Sequence, residues 1–151
     1  MLFQRISRAN PEKVFIVCKN GYSTGALTNG QAVMWDLGDA DGVNVTIPGA
    51  AFKRGSAFAG IVAETIAVSG YGLVQVYGHH SAVIVDASTT ADIYTGAPLF
   101  MTVAAFNLEG PYQASGATAG VHCDDRQVAC ALEAYGSVGT TGTIKAQIFA
   151  L

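Results

Sequence analysis

The chain has 151 residues, half of them apolar, with 19 charged side chains and a net charge of −3 at neutral pH. That balance excludes the clustered basic face of a nucleic-acid binder, and no run reaches the ~18 apolar residues of a membrane-spanning helix. Charged residues make up 13% of the chain, against about 25% in a typical soluble domain. Part of the outer surface is therefore expected to lie against partners, the plain alternative being a compact monomer coated with Ser, Thr and Gly.

In chain order, residues 1–12 read as an extended arm that ends in Asn10-Pro11, a dipeptide that disfavours helix. The arm carries Arg5 and Arg8 but no long apolar run, so no secretory signal is expected. Residues 13–151 suit one all-β domain, because Val, Ile, Tyr and Phe dominate short segments separated by Gly, Ser, Thr and Ala. Residues 13–19 read as a first buried strand, 20–25 as a turn or loop and 31–37 as a second strand. After Asp41-Gly42, the alternation of Val43, Val45 and Ile47 predicts a third. Residues 58–66 and 73–77 follow as strands joined by a glycine turn. Gly78-His79-His80 reads as a hairpin tip leading into residues 81–86, and 98–103 is a further strand. Residues 127–135 and 143–149 form an expected closing hairpin across a Gly-rich turn, and the helix-friendly stretch at 128–134 is too short and uncapped to be a helix.

One internal echo stands out: residues 28–35 resemble residues 94–101, each with a glycine that opens an apolar strand. Glycine adopts positive φ and turns the chain sharply into a strand. Two copies are too few for a solenoid, so a barrel or clip made of two related halves is expected.

Catalytic and metal templates fail in turn. His79 and His80 are adjacent, and adjacent strand residues point to opposite faces, so solvated imidazoles are expected. His122-Cys123-Asp124-Asp125 lacks the second spaced pair of a zinc site, and Asp39-Ala40-Asp41-Gly42 lacks the Glu that completes a calcium loop. Ser69-Gly70-Tyr71-Gly72 has the glycines of a phosphate cradle but no following helix. Glu64 sits in an apolar stretch without a partner carboxylate and reads as an edge charge or an inter-subunit salt bridge. Three cysteines, Cys18, Cys123 and Cys130, read as reduced thiols of a protein made in a cytoplasm, while the spacing leaves a Cys123–Cys130 disulfide open. No enzyme, cofactor, metal or small-molecule substrate is expected.

The stretch Ala59-Gly60-Ile61-Val62-Ala63, together with residues 72–78 and 83–86, resembles small virion proteins of tailed bacteriophages. Gly30-Gln31-Ala32-Val33-Met34-Trp35-Asp36 is similar to a step found in head-decoration, or capsid cement, proteins. The resemblance covers residues 13–103 and implies a small barrel or β-tulip-like domain on the capsid surface of a virion, assembled as a homotrimer. It further implies an N-terminal arm that adds a strand to the major capsid protein. On this chain that arm offers Leu2, Phe3 and Ile6 as anchors and Arg5 and Arg8 as charged contacts. Two alternatives accompany it: another virion module, such as a head-fibre base or tail component, and a ligand- or carbohydrate-binding barrel that stacks its substrate on Trp35, Tyr71 and Tyr77.

Overall fold

The computed structural model describes residues 12–39, 41–48, 57–87, 92–102, 105–111, 126–136 and 139–150. Among these residues the chain forms no helix and nine strands. They are β1 (Lys13–Asn20), β2 (Ala32–Trp35), β3 (Asn44–Thr46), β4 (Phe58–Val62), β5 (Tyr71–Asp86), β6 (Pro98–Met101), β7 (Leu108–Glu109), β8 (Ala129–Ala131) and β9 (Thr141–Phe149). The all-β expectation holds. The arm lies outside the described residues except for Glu12, and with it lie Leu2, Phe3, Arg5, Ile6 and Arg8.

The pairing pattern runs in two closed circuits. In the first, β1 pairs with β3, β3 with β2, β2 with β4, β4 with β5, and the first half of β5 returns to β1. In the second, the other half of β5 pairs with β7, β7 with β6, β6 with β8, β8 with β9, and β9 returns to β5. Strand sense repeats as well: β1–β3 and β5–β7 are parallel, and the remaining pairs are antiparallel. Two five-stranded rings, here the first and second lobes, therefore share one strand.

The echo seen in the sequence belongs to this duplication. Isolated bridges join Leu27 to Ile66 in the first lobe and Ile93 to Tyr135 in the second. The N–H of Gly30 donates to the Val62 carbonyl, and that of Gly96 donates to the Ala131 carbonyl, each at 2.8 Å. Leu27, Val33, Val62 and Val74 fill the first interior, and their counterparts Ile93, Leu99, Ala131 and Ala146 fill the second, all 2% exposed or less. The second interior continues without a break into the outward residues Met34, Phe58 and Ile61 of β2 and β4. Both faces of those two strands are thus buried, which is why β4 reads as an unbroken apolar run.

Gly30 makes the joint between the lobes. Its carbonyl accepts the Ile84 N–H at 2.9 Å, its φ is +89°, and a Cβ there would meet the Ala82 carbonyl oxygen at 2.1 Å. Only glycine fits so close an approach with that backbone. Beside it, the Ala32 N–H donates to the Phe106 carbonyl at 2.8 Å, and the Phe106 ring meets Tyr22 edge-on with centroids 5.0 Å apart.

Several strand expectations need correction. No hairpin tip exists at Gly78-His79-His80: β5 continues through them, because β1 pairs along its first half and β9 along its second. Gly78, with φ +98°, sits inside the strand. His79 is half-buried and His80 is buried, in place of two solvated imidazoles. The strands expected over 58–66 and 127–135 stop at Val62 and Ala131, and only the Ile66 and Tyr135 bridges lie beyond. The alternation after Asp41 is also broken: Val45 is buried, whereas Val43 is exposed, its N–H held by the Asp41 carboxylate. Strand β7, two residues long, had no expectation at all.

Two stability measurements test this architecture. Gly30→Ala forces the lobes apart and is expected to cost about 3 kcal/mol or more, whereas Gly96→Ala, with nothing within 4 Å of its Cβ, meets only the left-handed backbone penalty of about 1–2 kcal/mol. Thermal melts should show the first variant well below the second, and equal melting temperatures would contradict the joint. The second measurement concerns His80, whose pKa is lowered chiefly by burial and also by the Lys13 charge, against a raising hydrogen bond with the Val62 backbone. The unfolded chain takes up this proton below about pH 6.5 while the folded chain resists it. Stability is therefore complete above that pH and falls as the pH drops toward the folded-state value. Melting temperatures from pH 7.5 to 5 should decline for the wild type and decline less for His80→Gln.

A candidate docking face on the first lobe

The outer face of β1 and β5 departs most from what a solvated sheet should show. Antiparallel register sets Val17 opposite Leu73 and Lys19 opposite Tyr71, with Phe15 one step along opposite Gln75. Directly opposed residues project from the same face, so Phe15, Val17, Leu73 and Tyr71 form a contiguous apolar stripe bordered by Lys19. Val17 is 64% and Tyr71 67% exposed, and Phe15 and Leu73 are exposed beside them. Tyr77, exposed too, follows beyond a bulge at the Val14/Phe15 step.

The second lobe serves as an internal control. There β5 and β9 pair Ile84 with Thr143, at the position where the first lobe has Lys19 with Tyr71, and Lys145 stands where the first lobe has Leu73. A threonine thus replaces Tyr71 and a lysine replaces Leu73 on the same scaffold. The fold therefore does not require the apolar stripe of the first lobe.

The stripe also has an open edge. Strand β3 pairs with β1 only at Lys19 and Asn20. Leu73 directs both backbone groups away from β1: its N–H donates to the Glu64 carboxylate at 2.9 Å, and its carbonyl accepts from the Ala63 N–H at 2.9 Å. By antiparallel alternation the backbone groups of Val17 point outward on the other side. Among the described residues, the Lys13 to Val17 portion of β1 has a sheet neighbour on the β5 side alone.

The remaining candidates have structural roles. Glu64 is exposed and lies in the connection after β4, outside any strand, where it pins β5. Its counterpart Glu133 accepts the Lys145 N–H at 2.8 Å and the Lys145 ammonium at 3.1 Å, bonds that hold its pKa below the ordinary carboxylate value. The residue before each glutamate donates its N–H to the same partner residue's carbonyl, Leu73 in one lobe and Lys145 in the other. Asp41 caps its own turn by accepting the Asn44 and Val43 N–H groups, which lowers its pKa, and Asp39 and Asp41 both hold the Asn44 amide. Burial pushes the Cys18 thiol up to about 11, which makes it a poor nucleophile. Cys130 is half-buried on β8, while His122, Cys123, Asp124 and Asp125 lie outside the described residues. Trp35 packs against the first interior and is not available as a platform beside Tyr71 and Tyr77.

Sequence reasoning named Tyr71 and Tyr77 for another role and missed Phe15, Val17 and Leu73. An apolar strand reads as buried until its register is known. A signal was nonetheless present, since residues 14–18 are apolar at consecutive positions where a strand with one wet face should alternate.

No protein-family model matches the chain, and no curated protein matches it. Among solved structures it is similar to the N base of the head fibre gp8.5 of bacteriophage phi29, at 15% identity and a TM-score of 0.47, over 92% of this chain and 96% of that one.

Proposed function

We propose that the chain is a structural protein of a tailed-phage virion that decorates the head, a cement protein bridging neighbouring major capsid protein subunits as a homotrimer. The observation that carries this reading is the apolar, open-edged stripe on one copy of a duplicated scaffold whose other copy has Thr143 and Lys145 where the stripe has Tyr71 and Leu73. Such a surface suits permanent assembly, because exposed apolar patches and bare strand edges are liabilities in a protein that stays alone. The shortage of charged residues supports the same reading, as does the resemblance carried by residues 30–36 and 59–63.

In this role the protein works mechanically rather than by catalysis. Many modest contacts, repeated by symmetry and made at high effective concentration, add up to a stable shell. The arm supplies the contact with the capsid by strand addition, with Leu2, Phe3 and Ile6 inserted and Arg5 and Arg8 at the rim.

Purified protein added to expanded heads should co-sediment with them and raise their melting temperature by several degrees. Phe3→Asp and Ile6→Asp should each weaken head binding at least tenfold while leaving the melting temperature of the free protein unchanged. Failure to co-sediment would overturn the virion reading. Binding that leaves the heads no more stable would favour a fibre base over a cement protein.

A further inference from the structure

The acids set aside above as a fragment of a calcium loop flank a buried side chain that is only half satisfied. Asn44 is 6% exposed, and its amide is inserted between two carboxylates. Its Nδ2 donates to Asp39 at 2.7 Å and to Asp41 at 3.0 Å. Its Oδ1 is buried and accepts no hydrogen bond. A buried acceptor without a donor is costly, and such groups are rare enough in folded proteins that each needs a reason.

The second lobe shows the same position complete. Val45 pairs with Trp35 and Asn20 as Leu108 pairs with Met101 and Val85. Asn107 is therefore the counterpart of Asn44, Thr102 of Asp36 and Asp86 of Gly21. The N–H of Asp36 donates to the Asn44 carbonyl just as that of Thr102 donates to the Asn107 carbonyl. The Thr102 hydroxyl also serves the Asn107 Oδ1, and the Asn107 Nδ2 donates to Asp86 at 3.4 Å. Both ends of that amide have partners. In the first lobe a carboxylate replaces the hydroxyl and a glycine replaces the aspartate. Asp36 Oδ2 lies 3.3 Å from where a Gly21 Cβ would stand, and the Asn44 Cβ lies 3.4 Å from the same point. The chain also takes eight steps from Asp36 to Asn44 against five from Thr102 to Asn107, and the added length carries Asp39 and Asp41. The change removes a donor and adds acceptors.

We propose that Asp39, Asp41 and Asn44 form a cation site that takes calcium. Half a turn of the Asn44 amide puts Oδ1 where Nδ2 now lies, between the two carboxylates. Three oxygens then converge on an ion that replaces the two amide hydrogens, and Nδ2 moves to the side that now lacks a donor. Asp41 keeps its turn throughout, because its Oδ1 holds the Asn44 and Val43 N–H groups and leaves its Oδ2 to the ion. An all-oxygen set suits a hard cation, and calcium accepts irregular geometry with waters completing its shell, whereas magnesium demands a near-octahedral site. Asp39 and Asp41 are exposed, so the ion enters without opening the fold. Once bound, it holds Val43 and Asn44 beside β1, where Asn44 pairs with Lys19 and the Val43 carbonyl accepts the Lys19 N–H at 3.0 Å. The ion thereby steadies the Lys19 end of the apolar stripe. The inference rests on Asn44 and its counterpart and not on what the protein decorates.

Calcium chloride and magnesium chloride, each titrated into the metal-free full chain, are the probes. Calcium should bind with a dissociation constant of about 10⁻⁴–10⁻³ M, the weak end of the protein range. At about 10 mM it should raise the melting temperature by about 3–8 °C, and magnesium at equal ionic strength should do much less. In amide NMR spectra the Asn44 side-chain NH₂ signals should move with calcium occupancy. Asp39→Ser changes an exposed residue, so it should fold normally and lose the calcium shift. Asn44→Asp removes the donor and should melt earlier without calcium, yet gain more from calcium than the wild type, because a carboxylate oxygen then stands between the same two acids. A purely structural amide would leave that variant unrescued. Equal melting temperatures in calcium and magnesium, or a calcium shift that survives Asp39→Ser, would overturn the proposal. Should Asn44→Asp fail to fold, the wild type and Asp39→Ser decide the matter.

Discussion

Strand β5 runs for 16 residues, about 50 Å at the usual rise, and hydrogen-bonds along both sides for much of that length. Each ring needs its half of that strand to close, and neither half has another partner for the work. Backbone groups buried without partners cost about 1–3 kcal/mol each, so opening one ring strands donors and acceptors along β1 or β9. The shared strand thus ties the closure of the first lobe to that of the second, as does the apolar core running from Met34 and Ile61 into the second interior.

Placing two rings on one strand leaves their environments unequal. The second lobe has its β5 edge covered by the Gly30 turn; in the first lobe, among the described residues, the Lys13 to Val17 edge of β1 has no such cover. The side chains follow that inequality. The polar pair of Thr143 and Lys145 stands where the first lobe has the apolar pair of Tyr71 and Leu73. Duplication makes such differences legible, because one half states what the scaffold needs and the other what has been added to it.

Much of this was readable in the residues, and the rest was hidden for identifiable reasons. The echo of 28–35 in 94–101 pointed to two related halves, since a Gly turn with positive φ leaves a local mark. The glutamate pins did not stand out, because Glu64 and Glu133 act through backbone N–H groups supplied nine and twelve residues later, and their spacing differs. His79 and His80 misled for the opposite reason: a glycine followed by two polar residues looks like a turn, but long-range pairing with β9 overrides local punctuation. Strand β7 and the short pairings of β3 and β8 are fixed by ring closure alone, which no window of a few residues contains.

Pro98 makes the two related turns chemically unequal. Two copies of one unit in tandem could trade places, the second lobe offering its turn where the first belongs. In that exchanged arrangement the amide that should meet the Phe106 carbonyl would come from residue 98 instead of Ala32, and proline cannot supply it. The two turns are therefore not interchangeable at this contact, since Ala32 has the N–H that Pro98 lacks.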